Sequence, residues 1–158
     1  MKNIKQLQEE DFLSIITLVE NEKSDFNNFI KLGWGIKNIK NHLKKNNNFS
    51  IGYFEKSKLI GILIGEKINF DNNFDLEIHI MFVPKKNRRK NIGSRLINFI
   101  EINSNLTNIT KIFLEVSENN LEAIKFYEKN NFVFFKIRHN YYKDNKKKIN
   151  AKCYFKVI

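Results

Sequence analysis

Apolar and polar positions alternate along this chain in short blocks, and the period changes from block to block. Residues 1–7 can form a first strand. Over 8–20, Phe12, Ile15, Ile16 and Val19 fall at helical spacing behind an acidic first turn, which predicts a helix. A shorter helix is expected over 36–45, after Gly33-Trp34-Gly35. Residues 49–54 and 59–68 read as two strands of a hairpin, with Glu55-Lys56-Ser57-Lys58 as its polar turn. A further strand is predicted over 74–83, a helix over 94–104, a strand over 111–116 and a helix over about 120–129. Asn130-Asn131 can stop that last helix, because Asn tolerates the left-handed conformation. Two strands, 132–137 and 152–158, close the chain around Lys143-Asp144-Asn145-Lys146-Lys147-Lys148, which reads as a solvated hairpin loop. The pattern describes a mixed sheet with helices on its faces.

Composition narrows the class. At 158 residues, with no internal repeat or linker, residues 1–158 are expected to form one domain large enough for a real core. The single cysteine, Cys153, excludes an internal disulfide, and its alternating apolar surroundings suit a packed thiol. His42, His79 and His139 lie far apart without metal-ligand spacing, so no metal is expected. Neither a hydrophobic signal segment in residues 1–6 nor an apolar run near the ~20 residues of a bilayer span is present, which favours a cytoplasmic protein without a membrane partner. The net charge of +11 could draw the chain to RNA, a membrane surface or an acidic partner. Yet Lys, Asn, Ile and Phe crowd the whole composition, as an A+T-rich coding genome would make them, and no nucleic-acid motif is visible. Charge alone settles little.

The most informative stretch is Arg88-Arg89-Lys90-Asn91-Ile92-Gly93-Ser94, between the strand ending Met81-Phe82-Val83 and a helix start. A strand, a basic loop and a helix N-terminus bring unpaired N–H groups and the positive end of the helix dipole together, which suits a phosphate-bearing ligand. A solvated basic turn is the other reading. Glu115 stands in an otherwise apolar strand, where a carboxyl with a raised pKa could act as a general base. It could equally be a surface Glu of an edge strand or a cap for the next helix. Tyr127, twelve residues on, could give a proton to a leaving group or could be an amphipathic core residue. Asn120 could cap its helix or bond an amide of a ligand.

In this order the residues resemble the GNAT family of acetyl-CoA-dependent N-acetyltransferases. The family's Gln/Arg-x-x-Gly-x-Gly/Ala loop matches Arg88 to Gly93, with Asn91 in place of the first glycine. Asn is the least disruptive replacement where φ is positive. Pro84 follows Val83 directly, one position earlier than usual, and Asn87 stands where an aromatic is frequent. Within the family the chain is most similar to the RimI-type ribosomal-protein alanine N-acetyltransferases. That likeness runs through Leu114-Glu115-Val116, Asn119-Asn120, Tyr127-Glu128, Asn131-Phe132 and Ile137-Arg138-His139-Asn140-Tyr141-Tyr142, with Trp34 as counterpart of a tryptophan after the first helix. It is dense over 76–142 and thin before. The acidic pair that usually precedes the last strand is replaced by Ile149-Asn150.

The resemblance implies an α/β (α+β) fold, a single domain with a mixed, mostly antiparallel sheet of about six to seven strands and about four helices. It implies acetyl-CoA as co-substrate. Amides from Arg88, Arg89, Lys90, Asn91, Ile92, Gly93 and Ser94 would hold the pyrophosphate, and Met81, Phe82 and Val83 would pair with the pantetheine arm. Asn120 would also hold the cofactor. Glu115 would take the proton of the attacking amine, directly or through water, and Tyr127 would protonate the departing thiolate. Trp34, Tyr141 and Tyr142 would shape a peptide groove, the two tyrosines serving equally well as hairpin packing. The implied acceptor is a protein N-terminus, above all the alanine of a small-subunit ribosomal protein. A small amine such as a polyamine, aminoglycoside or amino acid is the second possibility. A non-catalytic RNA- or ribosome-binding module is the third, and retention of Glu115 and Tyr127 argues against it.

Overall fold

A computed structural model describes residues 3–144 and 147–158. Strand β1 (Ile4–Gln6) leads through a 3-10 turn (Glu9–Asp11) into α1 (Phe12–Asn21), α2 (Lys23–Lys31) and α3 (Ile36–Leu43). Three strands follow, β2 (Asn48–Glu55), β3 (Lys58–Phe70) and β4 (Asn73–Phe82). A second 3-10 turn (Lys85–Asn87), α4 (Ile92–Ile102) and α5 (Ser104–Thr107) lead to β5 (Ile109–Ser117), and α6 (Leu121–Lys129) to the hairpin of β6 (Val133–Asp144) and β7 (Lys147–Val157). The seven strands form one sheet in the order β1-β2-β3-β4-β5-β7-β6. Every neighbouring pair is antiparallel except β4 and β5. This is the expected mixed, mostly antiparallel sheet.

Two apolar layers cover it. One buries Leu76, Ile78, Ile112 and Leu114 of the sheet with Leu96, Ile97 and Ile100 of α4 and Ile124 and Tyr127 of α6. The other buries Ile62, Ile64, Ile80 and Phe82 with Ile15, Leu18 and Val19 of α1, Phe26 of α2 and Ile39 and Leu43 of α3. Strand β4 thus serves both layers, although its apolar residues share one parity. The cause is a bulge: Ile64 pairs with Ile80, but Gly65 pairs with Ile78, so His79 is an extra residue and the strand turns over. Gly65 is required there, since a Cβ would come within 2.6 Å of the Glu77 carbonyl oxygen.

Several bounds differ from the sequence reading. Helix α2 was not anticipated, because only Phe26, Phe29 and Ile30 mark it in a polar stretch; Phe26 is fully buried and meets Phe82 edge-on at 5.0 Å. With α2 and the short α5 there are six helices among the described residues rather than about four. Helix α4 starts at Ile92, two residues earlier than expected. The closing strands are longer than 132–137 and 152–158, and Lys143 pairs with Lys148 and Asp144 with Lys147. Four residues of the predicted six-residue loop are therefore strand, and residues 145–146 lie outside the described residues, as do residues 1–2 of the first strand. Cys153 is buried, as a packed thiol should be. Among the described residues no helix is long and apolar enough to cross a membrane.

Candidate active site

The parallel pair β4–β5 comes apart halfway. Residues pair from Phe74 with Ile109 up to Ile78 with Leu114, and there the ladder stops, although β4 continues to Phe82 and β5 to Ser117. The outer sides of both strands stay held, by β3 as far as Phe82 and by β7 as far as Ser117. Two main-chain edges consequently face each other across a notch. The Met81–Val83 segment forms one wall; Met81 and Val83 are partly buried and Phe82 is buried in the α1–α3 layer, so from Phe82 only main chain can serve a ligand in the notch.

At the mouth of the notch lies the basic loop. Arg89 and Asn91 are left-handed, with φ of 61° and 58°. Asn91 is the N-cap of α4, yet its side chain caps nothing, and no acid occupies the first turn. The first intrahelical bond runs from the Arg95 N–H to the Asn91 carbonyl, 2.9 Å. The amides ahead of it, on Ile92, Gly93 and Ser94, precede the helical ladder and so present donors to an anion. Gly93 does not have positive φ; a Cβ there would sit 2.8 Å from Cζ of Phe126, so the glycine lets α4 and α6 approach. Arg88, by contrast, is turned back: its Nε–H donates to the Val83 carbonyl at 3.0 Å, and its guanidinium lies 3.8 Å from Glu122. Lys90 is exposed.

Glu115 projects from β5 on the face opposite Tyr127. The expectation of a carboxyl among apolar neighbours is corrected here, because the Arg138 guanidinium donates to it at 2.5 Å. Cys153 Sγ is 3.9 Å away, and the Tyr141 phenol also lies against the carboxylate. Arg138 covers the Tyr141 ring at 4.1 Å. Burial and the Glu115 charge push the Cys153 thiol up, so it stays protonated. The pKa of Glu77, on β4 beside Glu115, is raised by burial first and by Glu115 second. A cavity of about 250 Å³ opens between them, lined by Asp75, Glu77, Glu115, Phe113, Phe135 and Cys153 among others. On a chain of net charge +11, this carboxylate-lined hollow is suited to a cationic or amine-bearing ligand.

Tyr127 is buried in the α4–α6 layer, with Phe126 at 5.3 Å and Phe132 at 5.5 Å. Burial drives its phenol well above the ordinary range, which keeps the proton on it. Burial, then Glu115, Tyr141 and Tyr127 in that order, hold the Tyr142 phenol high. Tyr141 and Tyr142 meet edge-on at 4.9 Å. A two-residue bulge turns them, since Arg138 pairs with Ala151 but Tyr142 with Ile149. Left-handed Asn140 donates its N–H to Asn150 Oδ1 at 3.0 Å, and Asn150 donates in turn to both oxygens of Glu118. Asn150, standing where the family usually has an acid, is thus the latch of this bulge. Asn120 caps α6 by accepting from the Ala123 N–H at 3.2 Å, which commits its oxygen.

Trp34, between α2 and α3, stacks on His79 at 5.0 Å and meets His42 edge-on at 5.3 Å. The expectation that the histidines are dispersed is therefore corrected for two of them. His42, Glu66 and His79 bring one ligand atom each within 4.8 Å of the others. Burial lowers the pKa of both imidazoles. Sequence reasoning missed Glu66, Glu77, Arg138 and Asn150; the one signal was a second carboxylate, Glu77, in the strand before the basic loop.

Solved structures share this architecture. A probable acetyltransferase from Staphylococcus epidermidis superimposes with a TM-score of 0.81 at 19% identity, over 98% of both chains. The ribosomal-protein-S18-alanine N-acetyltransferase from Escherichia coli gives 0.78 at 18% identity, over 96% of this chain and 90% of that one. NAA60 from Arabidopsis thaliana, in complex with a bisubstrate analogue, gives 0.77 at 16% identity, over 98% and 96%. At such identities the likeness speaks for the fold alone. No curated protein matches in sequence. The model of the acetyltransferase (GNAT) family matches residues 3–132, most of the chain, and the protein belongs to that family.

Proposed function

We propose that the protein transfers the acetyl group of acetyl-CoA to the N-terminal α-amino group of a protein, in the first place an alanine N-terminus of a small-subunit ribosomal protein. The observation that carries the reading is the notch itself, with donor amides at its mouth; Glu115 on one face of the sheet and Tyr127 in the layer on the other support it. The Ile92, Gly93 and Ser94 amides, helped by Arg89 and Lys90, bind the diphosphate. The Met81–Val83 edge supplies main-chain partners for the pantetheine amides, and the thioester lies between β4 and β5. An α-amino group with a pKa near 8 is partly neutral at pH 7, so a base need give only modest help. The amine nitrogen bonds to the thioester carbonyl carbon, Glu115 accepts the amine proton, the C–S bond breaks, and Tyr127 gives its proton to the departing sulfur. Arg138 orients the Glu115 carboxylate, and Tyr141, Tyr142 and Trp34 border the acceptor groove.

Two of the structural neighbours, from Escherichia coli and Brucella melitensis, are ribosomal-protein alanine N-acetyltransferases by name, and the Tyr141-Tyr142 bulge supports a peptide-directed groove. The small carboxylate-lined cavity favours one other reading, a free polyamine or similar small amine as acceptor. Purified protein with acetyl-CoA and a panel of peptides differing in the first residue, alongside free polyamines, separates the two by mass spectrometry. Acetylation of peptides with a free alanine start is expected. Acetylated polyamine with no acetylated peptide would replace the first reading by the second.

A further inference from the structure

We infer that His42, Glu66 and His79 form a binding site for a divalent transition-metal ion of the zinc class. The three residues come from α3, β3 and the β4 bulge, and lie 24 and 13 positions apart in the chain, yet their ligand atoms fall within 4.8 Å of one another. His79 Nε2 is already 3.6 Å from Glu66 Oε1. Ligands around zinc stand about 3.3 Å apart at bond lengths of about 2.0–2.1 Å, so closure asks for side-chain shifts of roughly 1 Å.

His42 supplies the independent observation. It is only 2% exposed, and its Nε2 lies 2.9 Å from the Gly65 carbonyl oxygen. That oxygen can only accept, so Nε2 carries the proton and Nδ1 is left as a lone pair. Nδ1 is buried and has no hydrogen-bond partner among the described residues. A ring fixed through one nitrogen by a backbone carbonyl, with the other nitrogen bare, is the arrangement that orients metal-binding imidazoles. Two imidazoles and one carboxylate suit zinc, cobalt, nickel or iron and do not suit calcium or magnesium, which take oxygen ligands. Three protein ligands leave a fourth position for water. Trp34 lies against both rings and shields the site. Among the described residues the opposing charge is Lys45, which donates to Glu66 Oε2 at 2.9 Å; its side chain is half exposed, and the Oε1 side faces His79.

An ion bound here would tie α3 to the β4 bulge and so stiffen the wall that carries Trp34. The test uses the full chain, stripped of metal with a chelator. Zinc chloride is titrated by calorimetry, and cobalt(II) by its visible absorption, which reports a low-coordinate site directly. One ion per chain is expected, with a rise of several degrees in melting temperature. Glu66→Gln and His79→Gln, both at partly exposed positions, should each weaken binding at least tenfold while circular dichroism shows the native fold. Lys45→Met should strengthen it. Absence of saturable binding at millimolar zinc would overturn the proposal, as would unchanged affinity in Glu66→Gln and His79→Gln.

Discussion

Glu115 meets Arg138, Tyr141 and Cys153 at once, and the consequences differ for proton transfer and for packing. Replacing its carboxylate by an amide removes the proton acceptor and keeps the shape. Glu115→Gln should lower kcat about 10²–10⁴-fold, the usual worth of a general base, and leave the KM for acetyl-CoA within roughly threefold; equal turnover in steady-state assays would remove Glu115 from the chemistry. Tyr127→Phe should lower kcat with the fold intact, and an unchanged rate and pH profile would discard the phenol as proton donor. Glu77 offers a stability test. Its pKa is raised above the ordinary 4.5 by burial and by Glu115, so its neutral form fits the fold better. That contribution is complete below about pH 4.5 and is lost as pH rises through the higher folded value. Glu77→Gln, neutral at every pH, should therefore melt higher than wild type at pH 7. The gain should vanish near pH 4. Equal melting temperatures at pH 7 would show that the Glu77 charge is not strained. The family resemblance pointed to Glu115 and Tyr127, but nothing in the sequence could pair Arg138 with Glu115. That contact crosses β5, β7 and β6, and a two-residue bulge decides which side chains turn inward.

Among the elements, α4 carries the most weight, because its first turn must be both well formed and open. Asn91 holds a left-handed φ that a β-branched residue resists. Asn91→Val should cost about 1–3 kcal/mol, whereas Asn91→Gly should be neutral or slightly stabilising and should retain cofactor binding. Chemical denaturation compares them, and equal stability for Val and Gly would contradict the assigned backbone. Gly93→Ala tests the contact between helices: its Cβ must displace the Phe126 ring from 2.8 Å. A loss of about 1–3 kcal/mol is expected, with slower turnover because α6 also carries Tyr127. Most strands and the main helices were legible from periodicity. Helix α2 was not, since a run of Lys, Ser, Asp and Asn hides the one buried face that Phe26 makes. The β4 turnover was also hidden: Leu76, Ile78, Ile80 and Phe82 alternate without a break, and only Gly65 on the neighbouring strand permits the bulge that sends them to opposite layers.

For the molecule as a whole, the sheet is a frame that holds β4 and β5 by their outer edges and lets them part. Under the proposed function, the basic loop at one end of the notch would take a polyanion and the carboxylate-lined hollow on the other face an amine. Affinity for the phosphate-bearing partner should fall as salt rises, because the attraction is partly screened charge. The net charge, read from composition alone, said nothing about this polarity, since lysines spread over the whole surface mask it. What was visible beforehand was the local motif, and what the fold added was the gap beside it. The most direct measurement is a calorimetric titration of the folded protein with acetyl-CoA. Saturable binding of one molecule per chain, weakened by added salt, is the expected result. A titration without heat or saturation would contradict the notch as a cofactor site and, with it, the transfer reaction.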